Sequence, residues 1–163
     1  MMQVSPLAVA AEEGERVWFD GGLVTFKATG AQNGGAFTMV EAMMPQGKAS
    51  PLHVHREADE TFYVLEGGIL TYVHGAERYA AQGAVTMVPR GIPHAFRVVA
   101  GPARLLVVFT PACTIMEAFF RAAGMPAPAA TLAPEDTPVE RLMAAAKRTG
   151  LEVLGPPPFV PAM

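Results

Sequence analysis

Two stretches decide how this chain folds. They are Gly47-Lys48-Ala49-Ser50-Pro51-Leu52-His53-Val54-His55-Arg56-Glu57-Ala58-Asp59-Glu60 and Gly83-Ala84-Val85-Thr86-Met87-Val88-Pro89-Arg90-Gly91-Ile92-Pro93-His94. In the first, His53 and His55 stand two apart among strand formers. Side chains at i and i+2 of a strand leave the same face, so both imidazoles can reach one ion. Glu60 opens the next apolar run, after the turn Arg56-Glu57-Ala58-Asp59, and His94 opens a later one behind Pro89-Arg90-Gly91-Ile92-Pro93. Three imidazoles and one carboxylate make a borderline-soft donor set. A structural zinc site is usually closed by thiolates, and the single cysteine, Cys113, is far away in sequence. The set therefore points to an ion with open or water-filled positions. Of the four histidines in the chain, only His74 stands apart. It lies beside Gly75 at an expected hairpin turn and is expected to be exposed.

Around these stretches the chain reads as short strands punctuated by turn residues. The runs Ala36–Glu41, Thr61–Leu65, Ile69–Val73, Val85–Val88, His94–Val99 and Arg104–Phe109 are separated by Pro45-Gln46-Gly47, Gly67-Gly68, His74-Gly75, Gly83, Pro89-Arg90-Gly91 and Gly101-Pro102. Such spacing indicates an all-β sandwich or barrel. The 16 glycines and 15 prolines exceed the average combined usage of about 12% and stay below the roughly 25% of low-complexity chains. Residues 1–35 read as an N-terminal arm, 36–110 as the barrel and 111–163 as a C-terminal helical extension, all within one domain. In the extension, Thr114 with Glu117 and Thr137-Pro138 with Glu140 are the expected capping boxes of two short helices. Met116, Phe119, Phe120 and Ala123 face one way on the first, which Gly124 stops. Val139, Leu142, Met143 and Ala146 do so on the second, which Gly150 stops.

Composition excludes several functions. The net charge is −3 and there is no Lys/Arg cluster, so no nucleic-acid partner is expected. No apolar run approaches the 18 or so residues of a membrane span. The segment Met1–Ala11 lacks the positive start of a signal peptide and meets Glu12 and Glu13 directly. A lone cysteine forms no internal disulfide and reads as a small buried hydrophobe. Together these lead to the expectation of a cytoplasmic protein.

The two opening stretches, with Gly67 completing the first, resemble the two cupin motifs. The first motif runs Gly, five residues, His-x-His, four residues, Glu, six residues, Gly, and this chain matches it at every defined position. The second runs Gly, five residues, Pro-x-Gly-x-x-His, and Gly83 to His94 match it. An Asn often follows four residues later; here that position is Val98. The segments Glu15–Leu23, Asp59–Gly67, Pro89–Phe96 and Phe119-Phe120-Arg121 further resemble one-domain cupins of the quercetin 2,3-dioxygenase-like kind. The resemblance implies a jelly-roll (double-stranded β-helix) barrel, commonly homodimeric. It also implies that one divalent transition metal (iron, manganese, nickel, cobalt, copper or zinc) is held by His53, His55, Glu60 and His94.

Alternation along strands then suggests the pocket. If Glu60 faces the ion, Phe62 and Val64 face inward, and with His94 so do Phe96 and Val98. Phe37, Met39 and Glu41 share one strand face, which is expected to be interior as well. Phe62, Phe96 and Met39 are thus the candidate pocket residues for a small, planar aromatic substrate. The leading expectation is a metal-dependent dioxygenase acting on a flavonol or similar hydroxylated aromatic, with Glu60 taking the substrate's hydroxyl proton. The alternative is a non-catalytic cupin that binds a metal or small molecule. A sugar isomerase or epimerase would need an acid/base partner beyond Glu60, and only Glu41, Glu66, Tyr63 and Tyr72 are near enough in sequence to serve.

Overall fold

A computed structural model describes residues 4–160. The expectation for Met1–Ala11 therefore rests partly on residues outside the described ones. The elements in chain order are β1 (Glu15–Phe19), β2 (Gly22–Ala28), β3 (Thr38–Met44), β4 (Leu52–Val54), β5 (Asp59–Val73), β6 (Ala76–Ala81), β7 (Val85–Val88), β8 (His94–Thr110), α1 (Thr114–Ala123), β9 (Met125–Pro126), α2 (Val139–Thr149) and β10 (Glu152–Gly155). All strand pairs are antiparallel. The path runs β10-β4-β8-β3-β2-β1-β9, and β5 joins β8 to β6 and β7. This is a jelly roll with short C-terminal helices. The stretch before Gly35 is more than an arm, because β1 and β2 form a hairpin whose second strand pairs with β3. No helix among the described residues is long and apolar enough to cross a membrane.

Two long strands organise the interior. The turn signals at Gly67-Gly68 and Gly101-Pro102 do not end strands. They lie inside β5 and β8, where the register of that pair shifts between Val64 and Ile69. The shift changes which residues face inward. On β5 the buried set passes from Glu60, Phe62 and Val64 to Ile69 and Thr71; on β8 it passes from His94 and Val98 to Ala103, Leu105, Val107 and Phe109. An extra residue in a pleated strand must invert its alternation in this way. Gly67 makes the bulge possible, with φ +77 and its α-carbon packed against the Ala100 carbonyl oxygen, where a β-carbon would collide. Around the bulge, Val40, Ile69, Leu105 and Phe109 are wholly buried, each contributing about 1.5–3 kcal/mol of hydrophobic stabilisation.

Both helices form where the apolar periodicity places them, and Gly150 ends α2 in the left-handed conformation with φ 86. Neither expected capping box forms. Cys113 and Pro138 stand at the N-cap positions without side-chain capping bonds. Glu117 is instead buried and accepts hydrogen bonds from the Gly30 amide (2.9 Å) and the Thr38 hydroxyl (2.5 Å). Thr38 Oγ1 accepts in turn from the Cys113 amide at 3.1 Å. Thr137 Oγ1 accepts from the Asp20 amide at 2.9 Å. These side chains fasten the helices to the sheet, because an unpaired buried carboxylate or amide costs more than an uncapped, solvated helix end.

Gly67→Ala is expected to destabilise the protein by about 1–3 kcal/mol, the cost of a strained left-handed residue, before any collision is counted. Urea unfolding reads this directly, and an unchanged midpoint would show that the strand shift does not depend on Gly67.

Candidate metal centre

Each candidate ligand is set by a strand or its edge. His53 lies in β4 and is paired with His94, the first residue of β8. His55 follows β4, where its carbonyl oxygen accepts from the Gly91 amide at 2.7 Å, so the Pro89–Pro93 turn is tied to the histidine strand. Glu60 is the second residue of β5, opposite Val88 on one side and Phe109 on the other. The four side chains are buried, and one donor atom from each lies within 4.8 Å of all the others. Ring centroids are separated by 5.0 Å for His53–His55, 4.4 Å for His53–His94 and 5.3 Å for His55–His94. Convergence of residues 41 positions apart in sequence is what the motif spacing led one to expect.

The donor set fits a divalent ion in its outer contacts as well. His53 Nδ1 lies 2.8 Å from the Pro51 carbonyl oxygen and His94 Nδ1 2.9 Å from that of Ile92. A carbonyl only accepts, so both Nδ1 atoms carry hydrogen and leave Nε2 as the free lone pair in the neutral ring. Glu60 Oε2 lies 2.9 Å from His55 Nε2 and 2.7 Å from His94 Nε2. His53, His55, Glu60 and His94 are the residues that would hold the ion.

Burial opposes every charge here, and the neighbours decide the outcome. Desolvation, helped by the charge on His94, pushes His53 down to about 4. His55 moves up to about 9; burial resists this, but the Glu60 charge and contacts with Cys113 and Glu60 prevail. Burial would raise the Glu60 carboxyl, yet the charge on His55 and hydrogen bonds from His55 and His94 hold it far below the usual carboxylate range. Glu60 thus stays a carboxylate and His55 keeps its proton at neutral pH. Cys113 was expected only as a buried hydrophobe. It is buried, and its thiol also meets the His55 ring. No sequence signal marked that contact, since the two residues lie far apart in the chain.

His53 and Glu60 open into a cavity of about 860 Å³, within the range typical of small-molecule sites. Phe62 and Phe96 line it, with ring centroids 5.7 Å apart. Met39 does not. On β3 the inward residues are Thr38, Val40, Ala42 and Met44, and the cavity is lined by the last three. The alternation read from Phe37, Met39 and Glu41 had the right period and the wrong phase. Glu41 pairs with Arg104 on the opposite face. Helical residues missed in the sequence complete the wall, including Met116, Phe119 and Phe120 of α1 and Leu142 and Met143 of α2. Their apolar stripes were visible, but nothing in sequence said that the stripes bound a cavity. His74 is exposed at its turn, with φ 51.

The cupin domain family matches residues 39–109. Quercetin 2,3-dioxygenase of Bacillus subtilis (strain 168) is 32% identical over 101 residues, a match that spans 62% of this chain and 30% of that protein. This chain carries a cupin domain. Solved structures share its fold. An RmlC-like cupin from Shewanella frigidimarina superposes with a TM-score of 0.55 at 22% identity, covering 69% of this chain and 96% of that one. KdgF from Halomonas gives 0.54 at 19% identity, covering 59% and 84%. The strands that carry the candidate ligands, β4, β5 and the start of β8, all fall inside the matched region or begin there.

His53→Ala and His94→Ala are expected to lose stoichiometric metal by elemental analysis while His74→Ala keeps it; full occupancy in either ligand variant would refute the assignment. The ion must displace the proton that His55 holds up to about 9. Apparent metal affinity should therefore rise by up to about tenfold per pH unit between roughly pH 6 and 9. A calorimetric titration showing affinity independent of pH over that range would contradict the proton's placement.

Proposed function

We propose that this cupin is a metal-dependent dioxygenase acting on a flavonol or a similar hydroxylated aromatic. The observation that carries the reading is the buried three-histidine, one-glutamate set opening into an apolar cavity large enough for a multi-ring molecule. The match to a quercetin 2,3-dioxygenase supports the substrate class. When bound, a divalent ion would supply Lewis-acid polarisation of a substrate oxygen and a common meeting point for dioxygen. The protein's own residues do the rest. Phe62 and Phe96 flank the aromatic rings and exclude water. Glu60, buried and ionised, accepts the substrate hydroxyl proton: the O–H bond breaks, its electron pair stays on the substrate oxygen, and the proton moves to the carboxylate. His55 and His94, whose Nε2 atoms lie 2.9 and 2.7 Å from Glu60 Oε2, would hold the ion beside that carboxylate. The organic substrate is then oxidised and dioxygen reduced, both oxygen atoms entering product, and Glu60 returns its proton to that product.

The reading carries with it a homodimeric, cytoplasmic protein with no nucleic-acid or membrane partner. Its support is the lone cysteine, the weak net charge and an exposed apolar outer face at Tyr63, Val85 and Met87.

Oxygen uptake by metal-loaded protein in the presence of quercetin tests the activity. Uptake is expected to require the metal, and Glu60→Gln should lower it by about 10²-fold or more, the usual scale of a lost general base. Flavonol-induced thermal stabilisation with no oxygen uptake across several loaded metals would favour the non-catalytic binding cupin instead.

A further inference from the structure

The cavity has two polar poles. One is the His53–Glu60 end; the other is formed by Asp20 and Lys48, which line the same cavity. The register separates them. His53 sits opposite His94 on β8, whereas the Lys48 carbonyl oxygen accepts from the Val98 amide at 2.8 Å. That is four residues further along the strand, or about 13 Å at the usual rise. Helix α2 confirms the distance. It starts beside Asp136 and Thr137, which contact Lys48 and Asp20, and leads into β10, which pairs with the His53 strand. Its 11 residues span about 16 Å. Between the poles the lining is apolar except for Ser50, whose hydroxyl already accepts the Phe96 amide at 3.0 Å.

The second pole has a definite chemistry. Lys48 Nζ lies 3.1 Å from Asp20 Oδ1 and 2.8 Å from Asp136 Oδ1. One cation between two carboxylates leaves the group net negative. Asp136 is 70% exposed and Asp20 only 18%, so Asp20 is the carboxylate turned toward the cavity. Its second oxygen, Oδ2, has no hydrogen-bond partner among the described residues. A sheltered carboxylate with a free acceptor attracts a hydroxyl donor and disfavours an anion. We propose that Asp20, held by Lys48, is a specificity-determining residue that binds a hydroxyl at the end of an elongated aromatic ligand whose other end lies at His53 and Glu60. The assignment rests on the flavonol reading above and names the substrate feature it selects: a neutral, terminally hydroxylated molecule of two to three linked rings.

The test is anaerobic binding, so that turnover plays no part. Metal-loaded protein is titrated with unsubstituted flavonol, its para-hydroxyphenyl analogue and its para-carboxyphenyl analogue, following ligand absorbance. The wild type is expected to bind the hydroxyphenyl compound about tenfold more tightly than the parent, the scale of a hydrogen bond to a charged group, and the carboxyphenyl compound more weakly than the parent. Asp20→Gly suits the left-handed turn at this position (φ 48) and should bring the hydroxyphenyl-to-parent ratio close to one. If that variant does not fold, Asp20→Asn preserves the turn and should reduce the ratio. His74→Ala should leave the ratio as it is. A mere loosening of the α2 attachment would alter both affinities together and leave the ratio intact. Equal wild-type affinities, a ratio that survives Asp20→Gly, or tightest binding of the carboxyphenyl compound would each overturn the Asp20 assignment while the flavonol reading stands. If none of the three binds, the flavonol reading falls and takes this assignment with it.

Discussion

The structure depends on keeping a carboxylate charged in the middle of an apolar barrel. Glu60 is 5% exposed, and an isolated ionised carboxyl at such a place is among the most costly groups a protein can bury. It is tolerated because His55 and His94 both reach the same oxygen. Removing both partners would leave a buried charge without compensation, which destabilises far more than the pairing stabilises. A divalent ion at the centre of these donors would offset the carboxylate charge further.

That requirement explains the layout around it. The histidines come from β4 and the start of β8, and Glu60 comes from the start of β5, so three separate strand segments must arrive in one register. The paired register shift in β5 and β8 lets each long strand turn its candidate ligand inward near its first residues and a further buried set inward beyond the shift. The helices then close what the sheet leaves open. Phe119 and Phe120 pack edge-on against Phe19 at 5.6 and 5.2 Å, and the buried Glu117 locks α1 to Gly30 and Thr38. The result is a site in which the polar chemistry is confined to two places and the path between them is apolar. Such a cavity orients an elongated ligand without needing many contacts.

Much of this was legible along the chain. Period-two alternation placed Phe62, Val64, Phe96 and Val98 on the inner face, and the apolar stripes located both helices to within a residue or two. Other readings failed for a common reason. Met39 was assigned inward because the pattern of β3 alone does not state its phase; pairing with β2 and β8 does. Gly67-Gly68 and Gly101-Pro102 carry the composition of turns, and only the strand opposite shows that they are bulges. Thr114, Glu117 and Thr137 match capping signatures, but Glu117 and Thr137 found partners distant in sequence that compete better than the adjacent helix end.

The sequence by itself marked the four candidate ligands, because His53, His55, Glu60 and His94 stand at the motif positions through which the resemblance implies them. It also determined the all-β class and the positions of the helices, because periodicity and glycine placement act over a few residues. Only the tertiary structure decided the cavity, the contact between Cys113 and His55, and the meeting of Asp20, Lys48 and Asp136. Those depend on residues that lie far apart in the chain and share a neighbourhood only when the barrel wraps and the helices dock, which no short-range pattern encodes.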